Sequence, residues 1–81
     1  MKSSINKEKY NKSFEDTFLI DSDKVQDLEY QSIEAWDSVG HMSLMASLEE
    51  AFNIEMEIDD IIDFSSYEVG IKILKKYNVE V

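Results

Sequence analysis

Trp36-Asp37-Ser38-Val39-Gly40-His41-Met42-Ser43-Leu44-Met45-Ala46-Ser47-Leu48-Glu49-Glu50-Ala51-Phe52 is the stretch on which the fold turns. Its large apolar residues recur three and four positions apart, the period of a helix with one buried side. Asp37 can accept a hydrogen bond from an unpaired first-turn amide, so a helix is predicted over residues 37–52. Gly40 is a weak point near its start. At about 100° per residue, His41, Leu44, Met45, Leu48 and Phe52 share one arc, the predicted core face. The opposite side collects Val39, Met42, Ala46, Glu49 and Asn53, with Glu50 at its edge, and a strip of small residues, Gly40, Ser43 and Ser47, lies between. Apolar groups beside carboxylates, on a surface the core does not need, point to contact with another protein.

Upstream, Tyr10, Phe14 and Phe18 stand four apart, with Ile5 about a turn earlier, which predicts a helix over residues 4–18. From Leu19 to Trp36 the pattern dissolves, leaving Val25, Leu28, Ile33 and Trp36 as anchors in a long loop without its own secondary structure. Downstream, a short helix is expected over residues 59–63. Ser65-Ser66-Tyr67-Glu68 then reads as a capping box opening a last helix over residues 66–77, with Val69, Ile73, Leu74 and Tyr77 as its buried stripe. There is no proline, repeat or low-complexity tract. The expected architecture is all-α, a single domain over residues 1–81 with four helices around one core.

At 81 residues the chain has room for one small core, and a deep, walled active site is not expected. It has no cysteine, so a disulfide framework, a thiolate metal site and a thiol nucleophile are excluded. The early lysines are not followed by an apolar run and Phe18-Leu19-Ile20 is too short to span a bilayer, so a soluble, cytoplasmic monomer without a signal peptide or membrane segment is expected. The net charge of −10 is uneven. Residues 1–24 balance to zero, whereas the stretch between Lys24 and Lys72 holds twelve acids and no lysine or arginine. A phosphate backbone would be repelled, which excludes nucleic acid as a natural partner. The same field attracts basic protein surfaces and speeds association with them.

Asp37, Ser38 and His41 contain the residue types of a hydrolytic triad, but three residues within five positions at one helix end do not supply a separately oriented acid and an oxyanion hole. No catalytic residue is therefore assigned, and His41 is expected at the edge of the core. The run from Asp21 lacks the glycine and the glutamate of a calcium loop. Glu55, Glu57, Asp59, Asp60 and Asp63 form an acidic cluster expected to gather divalent ions loosely, without a dedicated metal site. Ser38 differs in that its position is chemically useful. The first turn of a helix, with its free amides and positive dipole end, favours a phosphate, and a phosphodiester on this hydroxyl would point outward.

Trp36-Asp37-Ser38-Val39-Gly40-His41-Met42, followed by Leu48-Glu49-Glu50-Ala51-Phe52 and Ile54-Glu55-Met56, resembles the acyl carrier protein family across its modification helix. The resemblance extends to the Phe14 and Phe18 helix, to Asp59-Asp60, to Phe64 and to the last helix, so it covers nearly the whole chain. It implies a four-helix acyl-carrier-protein-like bundle with a long loop between helices 1 and 2 and a short third helix. It also implies 4'-phosphopantetheine attached to Ser38 from coenzyme A by a phosphopantetheinyl transferase, with Asp37 as the helix cap beside it. An acyl or aminoacyl group would then travel as a thioester between loading and transferring enzymes with basic docking surfaces, in fatty-acid-like or specialised biosynthesis. The docking surface of the family maps onto Val39, Met42, Ala46, Glu49 and Glu50, the outer face already found from helix geometry. Val39 stands where leucine is frequent, Gly40 where a polar residue is common, and Glu34-Ala35-Trp36 where modular carriers have paired glycines, which favours a free-standing carrier. The competing expectation is an acidic adaptor that uses the same face and never takes a prosthetic group.

Overall fold

The computed structural model describes residues 2–81, with side chains from Ile5 onward. Four α-helices are present: α1 over Lys2–Phe18, α2 over Ser38–Phe52, α3 over Ile58–Asp63 and α4 over Tyr67–Lys75. No strand occurs among the described residues, so the fold is all-helical. The predicted elements exist, with boundaries moved by at most two residues. Where the sequence predicted a loop without structure of its own, Ser22–Asp27 forms a 3-10 helix.

α1 packs against α2 through rings at four-residue spacing. Tyr10, Phe14 and Phe18 are buried, and Phe14 and Phe18 each lie against the buried Trp36 indole, at 5.6 and 5.3 Å between centroids. Pairs at this separation add about 0.5 to 1.5 kcal/mol beyond their area burial. Ile5 does not continue the stripe: it is 54% exposed, because Tyr10 is already where the core begins. Segment 19–36 is fixed by its anchors, with Val25, Leu28 and Trp36 buried and Ile33 packed at the margin. Its backbone is also tied down: the Tyr30 amide donates to the Ser65 carbonyl at 2.8 Å, and the Tyr67 amide to the Leu28 carbonyl at 3.0 Å. The loop thereby satisfies its own polar groups on the α3–α4 connection.

The cap of α4 lies one residue later than the capping box predicted. Ser66, not Ser65, accepts from the Val69 amide at 3.1 Å. That register puts Val69 at the third helical position, so Glu68 cannot return the bond. Gly70 lets α4 cross the rings closely: a Cβ there would fall 2.1 Å from the Tyr10 hydroxyl and 2.2 Å from the Phe64 ring. Tyr10 donates to the Tyr67 carbonyl at 2.7 Å, and Tyr67 to Asn11 Oδ1 at 2.6 Å. Burial pushes both phenols above their usual pKa, and at Tyr10 the neighbouring Tyr67 adds to the shift.

Candidate functional site at the start of α2

Asp37 is the N-cap of α2, and its Oδ1 accepts from the Gly40 amide at 2.8 Å. Ser38 is the first helical residue and is exposed. The far end is closed by Asn53 in the left-handed conformation, φ 53°, with its amide on the Glu49 carbonyl, a position asparagine tolerates well. Gly40 has a use its sequence position did not reveal. A Cβ there would meet the Ala35 carbonyl oxygen at 1.9 Å and the Phe18 ring at 3.2 Å. The apparent weak point is where the loop closes onto the first turn, which no larger residue permits.

The two arcs read from the sequence are present. Leu44, Met45 and Leu48 are buried, with His41 and Phe52 at the margin of the core. On the other side Val39 is 73% and Met42 55% exposed, with Ala46 and Glu50 also open to solvent. Glu49 differs from these. It is half-buried, and its Oε2 accepts from the Met56 amide at 2.8 Å. One of the two predicted docking carboxylates therefore holds the segment after α2, and Glu50 is the freer charge.

Ser38 lines a recess of about 340 Å³ between α2 and α3. The exposed Met42 and Ile62, the half-buried His41, the buried Phe64, and Tyr30 and Ser65 line it as well. A larger groove of about 490 Å³ runs between α1 and α2 along Ser43 and Ser47, bordered by Lys9 and Lys12. Ala46 and Glu50 of the predicted docking face also line it, whereas Ser38 does not. On α3, Ile58 and Ile62 are 74% and 70% exposed. Being four apart, they share one side of α3, and Ile62 lines the same recess as Met42. These α3 residues and Tyr30 were missed from the sequence. The isoleucine spacing was a usable signal, whereas Tyr30, in a loop, gave none.

His41 accepts the Trp36 indole N–H on Nδ1 at 2.9 Å, and its Nε2 lies 2.7 Å from the Ile61 carbonyl. With Nδ1 an acceptor, the ring proton belongs on Nε2, where it donates to Ile61. Both nitrogens are thus engaged with groups other than Ser38, and Asp37 is committed to Gly40. Asp37, Ser38 and His41 are not wired as a triad.

The acidic cluster is also divided. Asp60 is turned inward, where Lys76 and Tyr77 both donate to its carboxylate. Those two bonds, with the charge of Lys76, hold the Asp60 pKa below the usual carboxylate value against the opposing effect of burial. The same Asp60 contact raises the pKa of Lys76 and of Tyr77. The Tyr77 oxygen in turn accepts from the Glu57 amide at 2.9 Å. Among the described residues no group of three or more histidine, cysteine or acidic side chains is arranged to hold a metal ion. The described helices include none long and apolar enough to cross a membrane.

Comparison with models of protein families, with curated proteins and with solved structures gave no match.

Proposed function

We propose that this chain is an acyl carrier protein, a four-helix bundle of that kind, which carries an acyl or aminoacyl group on 4'-phosphopantetheine attached to Ser38 and catalyses nothing itself. The observation that carries the reading is the setting of Ser38: an exposed hydroxyl on the first turn of a fifteen-residue helix, opening onto an apolar recess. The residues fit the group. First-turn amides have no partner within the helix and favour a phosphate. Asp37 keeps the turn in place through Gly40, and the recess offers apolar walls to an arm leaving Ser38.

Loading would be a phosphoryl transfer from coenzyme A. The Ser38 Oγ–phosphorus bond forms, the pyrophosphate bond of coenzyme A breaks with release of adenosine 3',5'-bisphosphate, and the serine proton passes to a base on the transferase. When bound, the arm supplies a terminal thiol that holds the cargo as a thioester, a function this cysteine-free chain cannot provide. Val39, Met42 and Ala46, with Ile58 and Ile62 from α3, present an apolar surface beside Glu50 to the basic faces of the transferase and partner enzymes. Free carboxylates near such a surface steer encounter more than they add to affinity. A broad phosphopantetheinyl transferase with coenzyme A is expected to add one phosphopantetheinyl mass to the wild type and none to Ser38→Ala. An unmodified wild type, where a control carrier is loaded, rejects the reading.

A further inference from the structure

The recess beside Ser38 is lined by His41 and the buried Phe64. His41 reaches across it from α2, taking the Trp36 indole N–H on one ring nitrogen and donating to the Ile61 carbonyl of α3 with the other. The imidazole lies nearly parallel to the Trp36 indole, 6.2 Å away at 16°, and meets Phe64 and Tyr30 edge-on at 6.2 and 5.5 Å. One side chain thus joins α2, the long loop and α3. Behind it the core is ring against ring. Trp36 and Phe14 are fully buried and Phe64 nearly so, and Phe14 stands 5.6 Å from Trp36 and 6.4 Å from Phe64 between centroids.

An alkyl chain growing from the Ser38 side and entering the core past His41 separates it from Trp36 and Ile61. That leaves an indole N–H, an imidazole and a carbonyl without their partners at a part-buried place, the unfavourable half of hydrogen-bond energetics. It must also displace an aromatic ring, because the space is filled, and the apolar surface lost by the ring offsets what the chain gains. The recess itself, at about 340 Å³, is at the small end of ligand pockets, which span roughly 300 to 1,000 Å³.

We propose, on the basis of the carrier reading, that His41 is a specificity-determining residue that bars the path from the recess to the core. The cargo of this chain is then a short acyl or aminoacyl group held at the surface, and a long-chain fatty acyl group is not taken inside.

The test uses the full chain loaded at Ser38 with butyryl- or dodecanoyl-phosphopantetheine from the corresponding coenzyme A thioesters, each product verified by its mass. The readout is the indole N–H resonance of Trp36, the single tryptophan, together with retention on a hydrophobic column. In the wild type neither cargo is expected to move the indole resonance, and the dodecanoyl form is expected to be retained longer because its chain stays outside. In His41→Leu, which removes both bonds and keeps an apolar bulk, the dodecanoyl form is expected to shift the indole resonance and to lose the extra retention. A wild-type indole moved by dodecanoyl and not by butyryl overturns the proposal, whether or not the variant folds. An indole unmoved in a folded, loaded variant overturns the role of His41. Absence of any added mass on the wild type instead rejects the carrier reading, and the inference falls with it.

Discussion

α2 meets α1 and the long loop on one side and α3 on the other, and the two contacts are made of different materials. Toward α1 the contact is aromatic and apolar: Phe14, Phe18 and Trp36 interlock with Leu44, Met45 and Leu48 in the same core. Toward α3 the direct tie is a single directional bond, from His41 to the Ile61 carbonyl. α3 is six residues long, and Ile58 and Ile62 turn most of their surface to solvent. It is held by the Ile61 carbonyl on His41 and by the Asp60 carboxylate on Lys76 and Tyr77. Apolar burial does not depend on protonation, whereas the bonds of Asp60 do. The scaffold half is thus fixed by the hydrophobic effect, while the wall of the recess beside Ser38 hangs on a few groups whose charge and tautomer matter. Regions with few apolar contacts open at lower free energy than the core, so α3 is expected to open more readily than the α1–α2 pair.

The strongest way to break this contrast is at Phe14. Phe14→Ala is expected to cost about 3 to 5 kcal/mol, as much as the roughly 3 to 5 kcal/mol of net stability a domain this small commands. Loss of the far-ultraviolet helical signal at room temperature is the expected outcome, and a small shift of a cooperative transition would show that the rings are not the foundation. An intermediate effect is expected where rings or backbone meet a glycine. Gly70→Ala places a methyl against Tyr10 and Phe64, and such overpacking costs about 1 to 3 kcal/mol. Gly40→Ala meets a backbone carbonyl, which no rotamer change relieves. Its cost should outweigh the gain in helix propensity of about 1 kcal/mol, lowering the denaturation midpoint.

The smallest effect is expected at Asp60, because the partner ammonium is largely exposed and solvent screens the pair. Its pKa is lowered in the folded chain, so its contribution is complete above the usual carboxylate range and disappears as the pH falls through the depressed value. Lys76 is raised, so its share is complete below the usual lysine value and is lost only as alkali carries the pH through the raised one. The melting difference between wild type and Asp60→Asn should therefore be present near neutrality and vanish on acidification. A difference independent of pH would mean that α3 is held against the end of α4 by packing and not by these bonds.

Much of the scaffold was legible in the residues. Tyr10, Phe14 and Phe18 at four-residue spacing, and Leu44, Met45 and Leu48 on one arc, announce buried faces because helical period and apolarity are local properties. Asp37 announced its cap for the same reason. Ile5 extended the pattern one turn too far, since period alone does not say where the neighbouring helix stops covering it. Glu49 and Asp60 looked like members of a solvated acidic surface. Their bonds to the Met56 amide and to Lys76 and Tyr77 join positions seven to seventeen residues apart across turns, and no local pattern encodes such pairings.

By itself, the sequence determined an all-helical chain with Ser38 at the start of its central helix and an outer face of apolar and acidic residues, because caps, periodicity and charge are written within a few neighbouring positions. Only the tertiary structure decided what Ser38 faces. The recess exists because Tyr30, His41, Ile61, Ile62 and Phe64 converge from a loop and two helices. Gly40 is indispensable because Ala35 comes back against it, and His41 is a crossbar because Trp36 and Ile61 arrive on its two nitrogens. These meetings, whether between residues five apart, as Ala35 and Gly40, or twenty apart, as His41 and Ile61, are set by how the rings of the core pack, and packing is a property of the whole fold.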